Sequence, residues 1–206
     1  MKTYLNSMIL ITGLLAGAAF GDEIAPAART AARHAAITIC ANCHGPQGHA
    51  INPKFPRLAG QRPGYLMAQL HGFKSRGRGD ADAVAYMWGM AAPLQEDMIA
   101  ALADYYAAQK PGPGAGGDAA AIERGRGLFH QGLATGVPAC GTCHGEDAAG
   151  KADFPRLAGQ STQYLLKQLR AFNTNLRDAA VMHGVAVSLS DAQMHDVAAY
   201  LASLGP

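Results

Sequence analysis

A chain of 206 residues is long enough for one large domain or two small ones, and a hydrophobic content of 49% is sufficient for a buried core. The formal net charge of +2 gives no sign of the concentrated basic stripe that nucleic-acid binding usually needs, so we expect no nucleic-acid partner. The four cysteines fall into two close pairs, with none left over.

Residues 1–21 have the pattern of a secretory signal peptide. Lys2 provides a short basic start, residues 8–20 form an apolar core, and the Ala-Phe-Gly run at 19–21 is a small-x-small cleavage site. The core is shorter than the roughly 20 apolar residues that a membrane-spanning helix needs. We therefore expect an exported protein with at most peripheral membrane association. An N-terminal anchor that is kept uncleaved is the alternative.

An alanine-rich stretch at residues 25–36 favours a helix and leads into the run Cys-Ala-Asn-Cys-His at 40–44. A second run of this type, Cys-Gly-Thr-Cys-His, occupies 140–144. Two thiols three positions apart, followed directly by an imidazole, are the attachment pattern of a c-type haem. The sequence therefore predicts two covalently attached haem c groups and, because such attachment occurs outside the cytoplasm, a periplasmic location. The thioether-forming residues would be Cys40, Cys43, Cys140 and Cys143, and the iron-ligating residues His44 and His144.

The two halves are copies of each other. The heptapeptide Phe-Pro-Arg-Leu-Ala-Gly-Gln occurs at 55–61 and again at 154–160. A helical stripe follows each copy, beginning at Pro63 in the first half and capped by Ser161 in the second. Its matched members are Tyr65, Leu66, Gln69, Leu70 and Phe73 in the first half and Tyr164, Leu165, Gln168, Leu169 and Phe172 in the second.

A further helix closes each half, with an apolar stripe over residues 98–106 and another over 197–204. Ser190 and Gln193 have the spacing of a capping box for the second of these helices. No stretch shows the alternation typical of strands, so we expect an all-α fold. The Gly/Pro-rich linker at 111–117 divides the chain. We place the N-terminal domain at 22–110 and the C-terminal domain at 118–206.

The helix that begins near Asp118 carries Gly125 and, four residues later, Phe129. A glycine at this spacing allows a second helix to approach closely. The C-terminal helix is the expected partner.

Methionine is the expected sixth ligand of each iron, since its thioether binds ferrous iron well and raises the reduction potential. Aligning the two halves pairs Met87 with Met182, both in glycine-containing segments that we expect to be poorly helical. We therefore assign these two methionines as axial ligands. Met90 is the alternative in the first half, and His183 is the alternative in the second.

Groups around each haem can also be proposed. The carbonyls of Pro56 and Pro155 could accept the second ring N–H of the ligating histidines. Arg57 and Arg156 are candidates for propionate contacts through their forked donors. The further candidates are Gln61, Gln160, Tyr65 and Tyr164. For the glutamines, a place in a solvated loop is the alternative.

Together these motifs resemble the cytochrome c4 family, and the resemblance covers the chain after the leader. It implies two class I cytochrome c domains related by a pseudo-twofold axis, His44–Met87 and His144–Met182 ligation, and propionates that meet near the domain interface. It also implies delivery of electrons to a terminal oxidase, often of the cbb3 type. One departure is the segment before Met182, which is shorter than its counterpart and leaves the exposure of the second haem edge open.

The main functional hypothesis is a one-electron shuttle, not an enzyme, because saturated irons leave no site for substrate. Its donor would be a quinol-oxidising complex or a dehydrogenase, and its acceptor a terminal oxidase. The alternative is a dihaem subunit of a dehydrogenase such as flavocytochrome c sulfide dehydrogenase. A dihaem peroxidase would need an open iron with acid–base groups above it. A haem-free zinc or disulfide site would need ligands from distant positions or a βαβ setting.

Overall fold

The computed structural model describes residues 24–206, so the expected signal peptide lies outside the described residues. Within this range every regular element is helical, and β-structure is limited to isolated bridges. The expected all-α fold is therefore confirmed. None of the helices in the described range is long and apolar enough to cross a membrane.

Within residues 24–206, each half contains five α-helices. Those of the first half are α1 (Pro26–Ala35), α2 (Ala41–His44), α3 (Pro63–Lys74), α4 (Trp88–Ala91) and α5 (Glu96–Ala107). Those of the second half are α6 (Ala119–Gln131), α7 (Gly141–His144), α8 (Thr162–Asn173), α9 (Ala180–Ala186) and α10 (Asp191–Ser203). Two π-helical turns occur in the first half, at Ala36–Cys40 and at Ala83–Met87.

The helices begin where their sequence signals predict. Pro63 is the first residue of α3, whereas the Ser161 hydroxyl accepts a hydrogen bond from the Tyr164 amide to begin α8. Asp118 caps α6 through the Ala120 amide. Ser190 and Gln193 form the complete capping box of α10. Different side chains thus place the same helix in each half.

In the first half, α5 is the central element and packs against α1 and α3. Leu102 and Tyr106 of α5 contact Leu66 of α3 and the small face of α1 that carries Ala28 and Ala32. Alanine on that face lets α1 and α5 approach closely. Because α1 continues into the turn that contains Cys40, the first attachment motif begins next to this core.

In the second half, α10 packs along α6. A Cβ atom at Gly125 would lie 2.0 Å from the Asp196 carbonyl oxygen, so only glycine permits this approach. Phe129 is fully buried beneath Tyr200, with ring centroids 5.5 Å apart. The predicted close packing of the C-terminal helix, α10, against Gly125 and Phe129 of α6 is confirmed.

Residues 110–118 carry no regular structure between α5 and α6. The Ala115 amide donates to the Ala202 carbonyl, so this segment lies against α10. The predicted linker at 111–117 falls inside it. The domain boundaries themselves stay a prediction.

Candidate haem-binding sites

Each attachment motif ends in a short helix that places its histidine at the C-terminal end. In the first half the π-helical turn Ala36–Cys40 joins α1 to α2, so that Cys40 and Cys43 lie on consecutive turns. Gly45 ends α2 with φ 74°, and a Cβ atom there would lie 2.0 Å from the His49 carbonyl oxygen. All four cysteines are partly buried free thiols, as thioether formation requires.

The two motif histidines are held in the same way. Nδ1 of His44 lies 2.9 Å from the Pro56 carbonyl oxygen, and Nδ1 of His144 lies 3.1 Å from that of Pro155. A carbonyl oxygen can only accept, so Nδ1 carries the proton and Nε2 keeps its lone pair for a metal. Burial lowers the pKa of both imidazoles, which favours the neutral, ligating form. The predicted role of the two proline carbonyls is confirmed.

The phenylalanine of each heptapeptide packs against the adjacent histidine. Phe55 meets the His44 ring edge-on at 6.2 Å between centroids, and Phe154 meets His144 at 6.0 Å. Sequence reasoning assigned no role to these rings. The signal was present, because the heptapeptide is identical in both halves and places an aromatic residue directly before the proline whose carbonyl binds the histidine.

Met87 and Met182, the expected axial ligands, lie in different local structures. Met87 ends the π-helical turn Ala83–Met87 and packs against Phe73 and Ala83. Met182 is half-buried in the first turn of α9. The expectation of poorly helical segments is therefore wrong for both methionines, since residues 81–91 are helical throughout, with the π-helical turn inside an α-helix, and Ala180–Ala186 forms a regular α-helix. The axial role of both methionines stays a prediction.

The two alternative ligands have other surroundings. The Met90 side chain is 43% exposed at the surface of α4. The His183 ring is half-buried, and its Nδ1 lies 2.8 Å from the Phe172 carbonyl oxygen. Nδ1 of His183 is therefore bound to a carbonyl near the end of α8, just as Nδ1 of each motif histidine is bound to a proline carbonyl.

The arginines of the heptapeptides contact main-chain carbonyls. Arg57 Nη1 donates to Pro113 (2.9 Å) and to Gly159 (2.7 Å), and Arg156 Nη2 donates to Gly205 (3.0 Å). Arg57 therefore joins the first half to the linker and to the second half. Propionate binding by Arg57 and Arg156 stays a prediction.

Gln61 and Gln160 form a reciprocal clamp between the halves. Gln61 accepts from the Arg156 amide (2.7 Å) and donates to the Arg156 carbonyl (2.9 Å). Gln160 does the same with Arg57, at 2.9 and 3.0 Å. Both side chains are buried. A solvated loop position is therefore wrong for these glutamines, and this pairing shows that the repeated heptapeptides face each other across the interface.

Sequence reasoning also missed two buried arginines at the same interface, Arg78 and Arg177. Their backbones pair in an isolated antiparallel bridge, and each guanidinium lies 4.5 Å from a phenylalanine ring, Phe73 and Phe172 respectively. They occupy matched positions of the repeat, and this match is the sequence signal that could have identified them. Buried charge at matched positions of a duplication indicates a shared site.

These residues fit one c-type haem in each half. Two thiols, a histidine with a free Nε2 and a half-buried methionine occur in both halves, with buried guanidinium groups between them. In residues 24–206, no three His, Cys, Asp or Glu side chains converge in the way that a zinc site would require.

Comparison with known proteins supports this assignment. The sequence profile of the cytochrome c family matches residues 122–205. Cytochrome c-552 of Acidithiobacillus ferridurans is 40% identical over 98% of this chain and 88% of its own length. Cytochrome c4 of Azotobacter vinelandii is 36% identical over 99% of this chain and 100% of its own. The chain belongs to the cytochrome c4 family.

The resemblance inferred from the motifs is thus confirmed. The solved structure of Acidithiobacillus ferrooxidans cytochrome c4 matches with a TM-score of 0.76 at 44% identity, over 80% of this chain and 98% of that one. A thiosulfate dehydrogenase electron acceptor of Thiomonas intermedia (strain K12) is 39% identical over 87% of this chain and 84% of its own. As a cytochrome c4, this chain has two class I cytochrome c domains with two covalent haem c groups, and it is an electron carrier, not an enzyme.

Proposed function

We propose that this cytochrome c4 carries single electrons in the periplasm between redox proteins of a respiratory chain, with His44–Met87 and His144–Met182 as the axial pairs. A bound haem supplies an iron that alternates between ferric and ferrous states. The observation that carries the proposal is the equal construction of the two histidine sites, each fixed by a proline carbonyl and a phenylalanine ring.

Fixed ligands suit electron transfer because little has to move when the charge changes. Pro56 and Pro155 hold the imidazoles in one tautomer and one orientation, so each Nε2 keeps its lone pair and would be free to bind the iron of a haem. Met87 and Met182, as the second ligands of the two irons, would leave no position for a substrate. A dihaem peroxidase would need such an open position, with an acid–base group beside it.

The domain interface would keep the two haems at a constant separation. Besides the glutamine clamp, the Arg62 Nε donates to the Ala152 carbonyl, and Lys167 Nζ donates to the Lys54 carbonyl, both at 3.0 Å. These contacts join the halves at further points on either side of the heptapeptides. Electrons entering one half could then pass to the other without any movement of the domains.

The donor that the comparisons favour is a dehydrogenase. The relative from Thiomonas intermedia is named as the electron acceptor of a thiosulfate dehydrogenase and aligns over most of this chain. We infer that a dehydrogenase of a reduced sulfur compound reduces this protein, and that a terminal oxidase reoxidises it. A quinol-oxidising complex is the other donor to be compared.

The test follows the haem absorbance of the purified holo-protein in a stopped-flow instrument. The ferric protein is mixed with thiosulfate dehydrogenase, without and then with thiosulfate, and separately with a quinol-oxidising complex and its quinol. The ferrous protein is then mixed with oxidase-containing membranes under oxygen. We expect thiosulfate-dependent reduction of both haems and oxidase-dependent reoxidation.

Reduction by the quinol-oxidising complex alone would contradict a dehydrogenase donor. Failure of the oxidase to reoxidise the protein would contradict the proposal that a terminal oxidase is the electron acceptor. Rapid peroxide turnover, or free binding of small ligands by the ferric irons at neutral pH, would contradict saturated ligation.

A further inference from the structure

One buried hydroxyl group in the first half has no hydrogen-bond partner. Tyr106 is 4% exposed, and within residues 24–206 its hydroxyl oxygen is the one buried side-chain nitrogen or oxygen that no hydrogen bond satisfies. An unsatisfied buried hydroxyl is costly, so native proteins nearly always give such a group a partner. The position of this hydroxyl therefore points to a contact that forms when the protein carries its haem.

The hydroxyl lies beside the first cysteine of the first attachment motif. Cys40 packs against the core cluster that contains Tyr106 and Leu102. Burial, and then the neighbouring Cys40 thiol, raise the pKa of the Tyr106 hydroxyl, so this group keeps its proton at neutral pH and can donate it to a hydrogen bond. Burial also raises the pKa of the Cys40 thiol, and the Tyr106 hydroxyl opposes that rise, as a hydrogen-bond donor does. A donor and a sulfur acceptor thus share one buried space.

The Tyr106 ring is fixed by its neighbours. A Cβ atom at Gly48 would lie 3.0 Å from the ring carbon Cδ1, so this glycine leaves just enough room for the ring. The Tyr105 ring meets it edge-on, with ring centroids 5.1 Å apart. These contacts hold the ring in place, and the hydroxyl therefore stays next to Cys40.

The second half has no such hydroxyl. The Gly60 amide donates to the Tyr106 carbonyl and the Gly159 amide donates to the Leu201 carbonyl, both at 2.9 Å, so Leu201 is the matched residue. Leu201 belongs to the core cluster against which Cys140 packs. An apolar side chain is therefore sufficient to fill this position beside an attachment cysteine. Packing alone does not account for the hydroxyl of Tyr106.

We propose that the Tyr106 hydroxyl donates a hydrogen bond to the Cys40 sulfur of the holo-protein, and that Tyr106 is a positioning residue for the attachment of the first haem. A thioether sulfur keeps its lone pairs and is a weak acceptor, so Cys40 can still accept this hydrogen bond when it is bonded to the haem. The contact links the attachment site to α5, the central helix of the first half. It depends on the covalent haem and not on the axial ligands or redox partners proposed above.

The test compares the purified holo-protein with Tyr106→Phe, which removes the hydroxyl oxygen and keeps the ring. The carbon–sulfur stretching bands of the thioethers are recorded by resonance Raman spectroscopy in H2O and after full exchange into D2O. We expect one band of the unaltered protein to shift in D2O, because a deuteron replaces the hydroxyl proton at the sulfur. Tyr106→Phe should show no such shift.

Tyr200→Phe is the matched control. Tyr200 is also buried in the closing helix of its half, but its hydroxyl has a partner within the chain, the His130 Nε2 at 2.9 Å. The deuterium shift of the carbon–sulfur band should remain in this variant. Loss of the shift in Tyr200→Phe and its persistence in Tyr106→Phe would overturn the proposal.

Denaturant unfolding of the same proteins gives an independent readout whose sign is decisive. A hydrogen bond of ~1 kcal/mol predicts that Tyr106→Phe lowers the ratio of folded to unfolded holo-protein about fivefold. A hydroxyl that stays unsatisfied predicts the opposite, since phenylalanine removes a buried polar group that nothing binds. An unchanged or higher ratio in Tyr106→Phe would therefore overturn the proposal.

A buried water molecule as the partner of Tyr106 would also make Tyr106→Phe less stable, but it would leave the sulfur without a hydrogen bond. Lower stability of the variant, without any deuterium-sensitive carbon–sulfur band in the unaltered protein, would thus overturn the contact with Cys40. Failure of the stopped-flow reactions with redox partners would leave all of these measurements unchanged. The proposed function and this inference can therefore fail separately.

Discussion

At the scale of single residues, the two sides of each candidate haem site are built by different means. The histidine side depends on hydrogen bonds to a proline carbonyl a short distance along the chain, 12 residues on from His44 to Pro56 and 11 from His144 to Pro155. The methionine side depends on packing, with Met87 in a π-helical turn and Met182 in α9. The hydrogen bond of each histidine forms between residues that are close in sequence. The position of each methionine side chain depends instead on the helices that pack around it.

The axial assignment predicts the effect of changing each methionine separately. Met87→His or Met182→His should lower the potential of one haem by on the order of 0.1 V, a part of the ~0.8 V range over which axial ligands act. The weak long-wavelength band of methionine-ligated ferric haem should lose about half of its intensity. Redox titration and optical spectroscopy measure both effects.

Met90→Leu is the control for the first half, because Met90 lies nearby on α4 but is 43% exposed. It should leave the potentials and the band unchanged. If Met90→Leu weakens the band by half and Met87→His does not, Met90 is the ligand.

At the scale of elements, the packing of the helices depends on the positions where small residues let two helix backbones come close together. In the second half α6 and α10 meet at Gly125, and in the first half α1 presents alanines to α5. These are the contacts on which the attachment motifs rest, since α1 leads into Cys40 and Phe129 of α6 approaches Gly141 in α7. Small residues at these positions therefore fix where the haem-binding segments sit.

Two glycines of α6 should respond in opposite directions to the same substitution. Gly125→Ala places a Cβ atom 2.0 Å from the Asp196 carbonyl and should destabilise the holo-protein by about 2 kcal/mol or more. Gly127→Ala meets nothing within 4 Å and should stabilise it by about 0.5–1 kcal/mol through helix propensity. Denaturant unfolding gives both values. Equal effects of the two substitutions would show that α6 and α10 do not approach as closely as described.

At the scale of the whole molecule, the interface joins the halves through polar contacts. The glutamine clamp, the hydrogen bond from Arg78 to Gln168, and a cluster of Asp82 with Lys54 and Lys167 all cross between the halves. Hydrogen bonds have fixed geometry, so such an interface sets the relative orientation of the domains more narrowly than an apolar patch would.

Removing the clamp should loosen the domains without unfolding them. The double variant Gln61→Ala, Gln160→Ala loses four interdomain hydrogen bonds and should cost roughly 2–5 kcal/mol of interface stability, at about 1 kcal/mol for each bond. Faster proteolytic cleavage in the linker at 111–117, with an unchanged haem spectrum, is the expected result. Gln131→Ala, at an exposed position on α6, is the control. Linker cleavage as slow as in the unaltered protein would contradict the clamp.

The Asp82 cluster should make the interface sensitive to acid. Partial burial alone would raise the pKa of Asp82, but the Lys167 and Lys54 ammonium groups lower it below its usual value. A lowered carboxylate pKa stabilises the native state above the unfolded pKa of about 3.9, and this contribution is lost as the pH falls through the lowered value.

Asp82→Asn should therefore cost about 1 kcal/mol at neutral pH and nothing in strong acid. Denaturant unfolding as a function of pH measures this difference. Glu123→Gln, in an exposed pair within α6, is the control for loss of a surface carboxylate. A pH-independent difference between Asp82→Asn and the unaltered protein would exclude the ionic role.

The sequence by itself determined the features that depend on local spacing. The motifs at 40–44 and 140–144, the repeated heptapeptide, the helix caps at Ser161 and Ser190, and the proline carbonyls all act within a few turns of chain, so their geometry follows from residue order. The tertiary structure alone decided how the two copies face each other. Gln61, Gln160, Arg78 and Arg177 each have a hydrogen-bond partner in the opposite half, and no local pattern encodes a contact whose position depends on the docking of two folded domains.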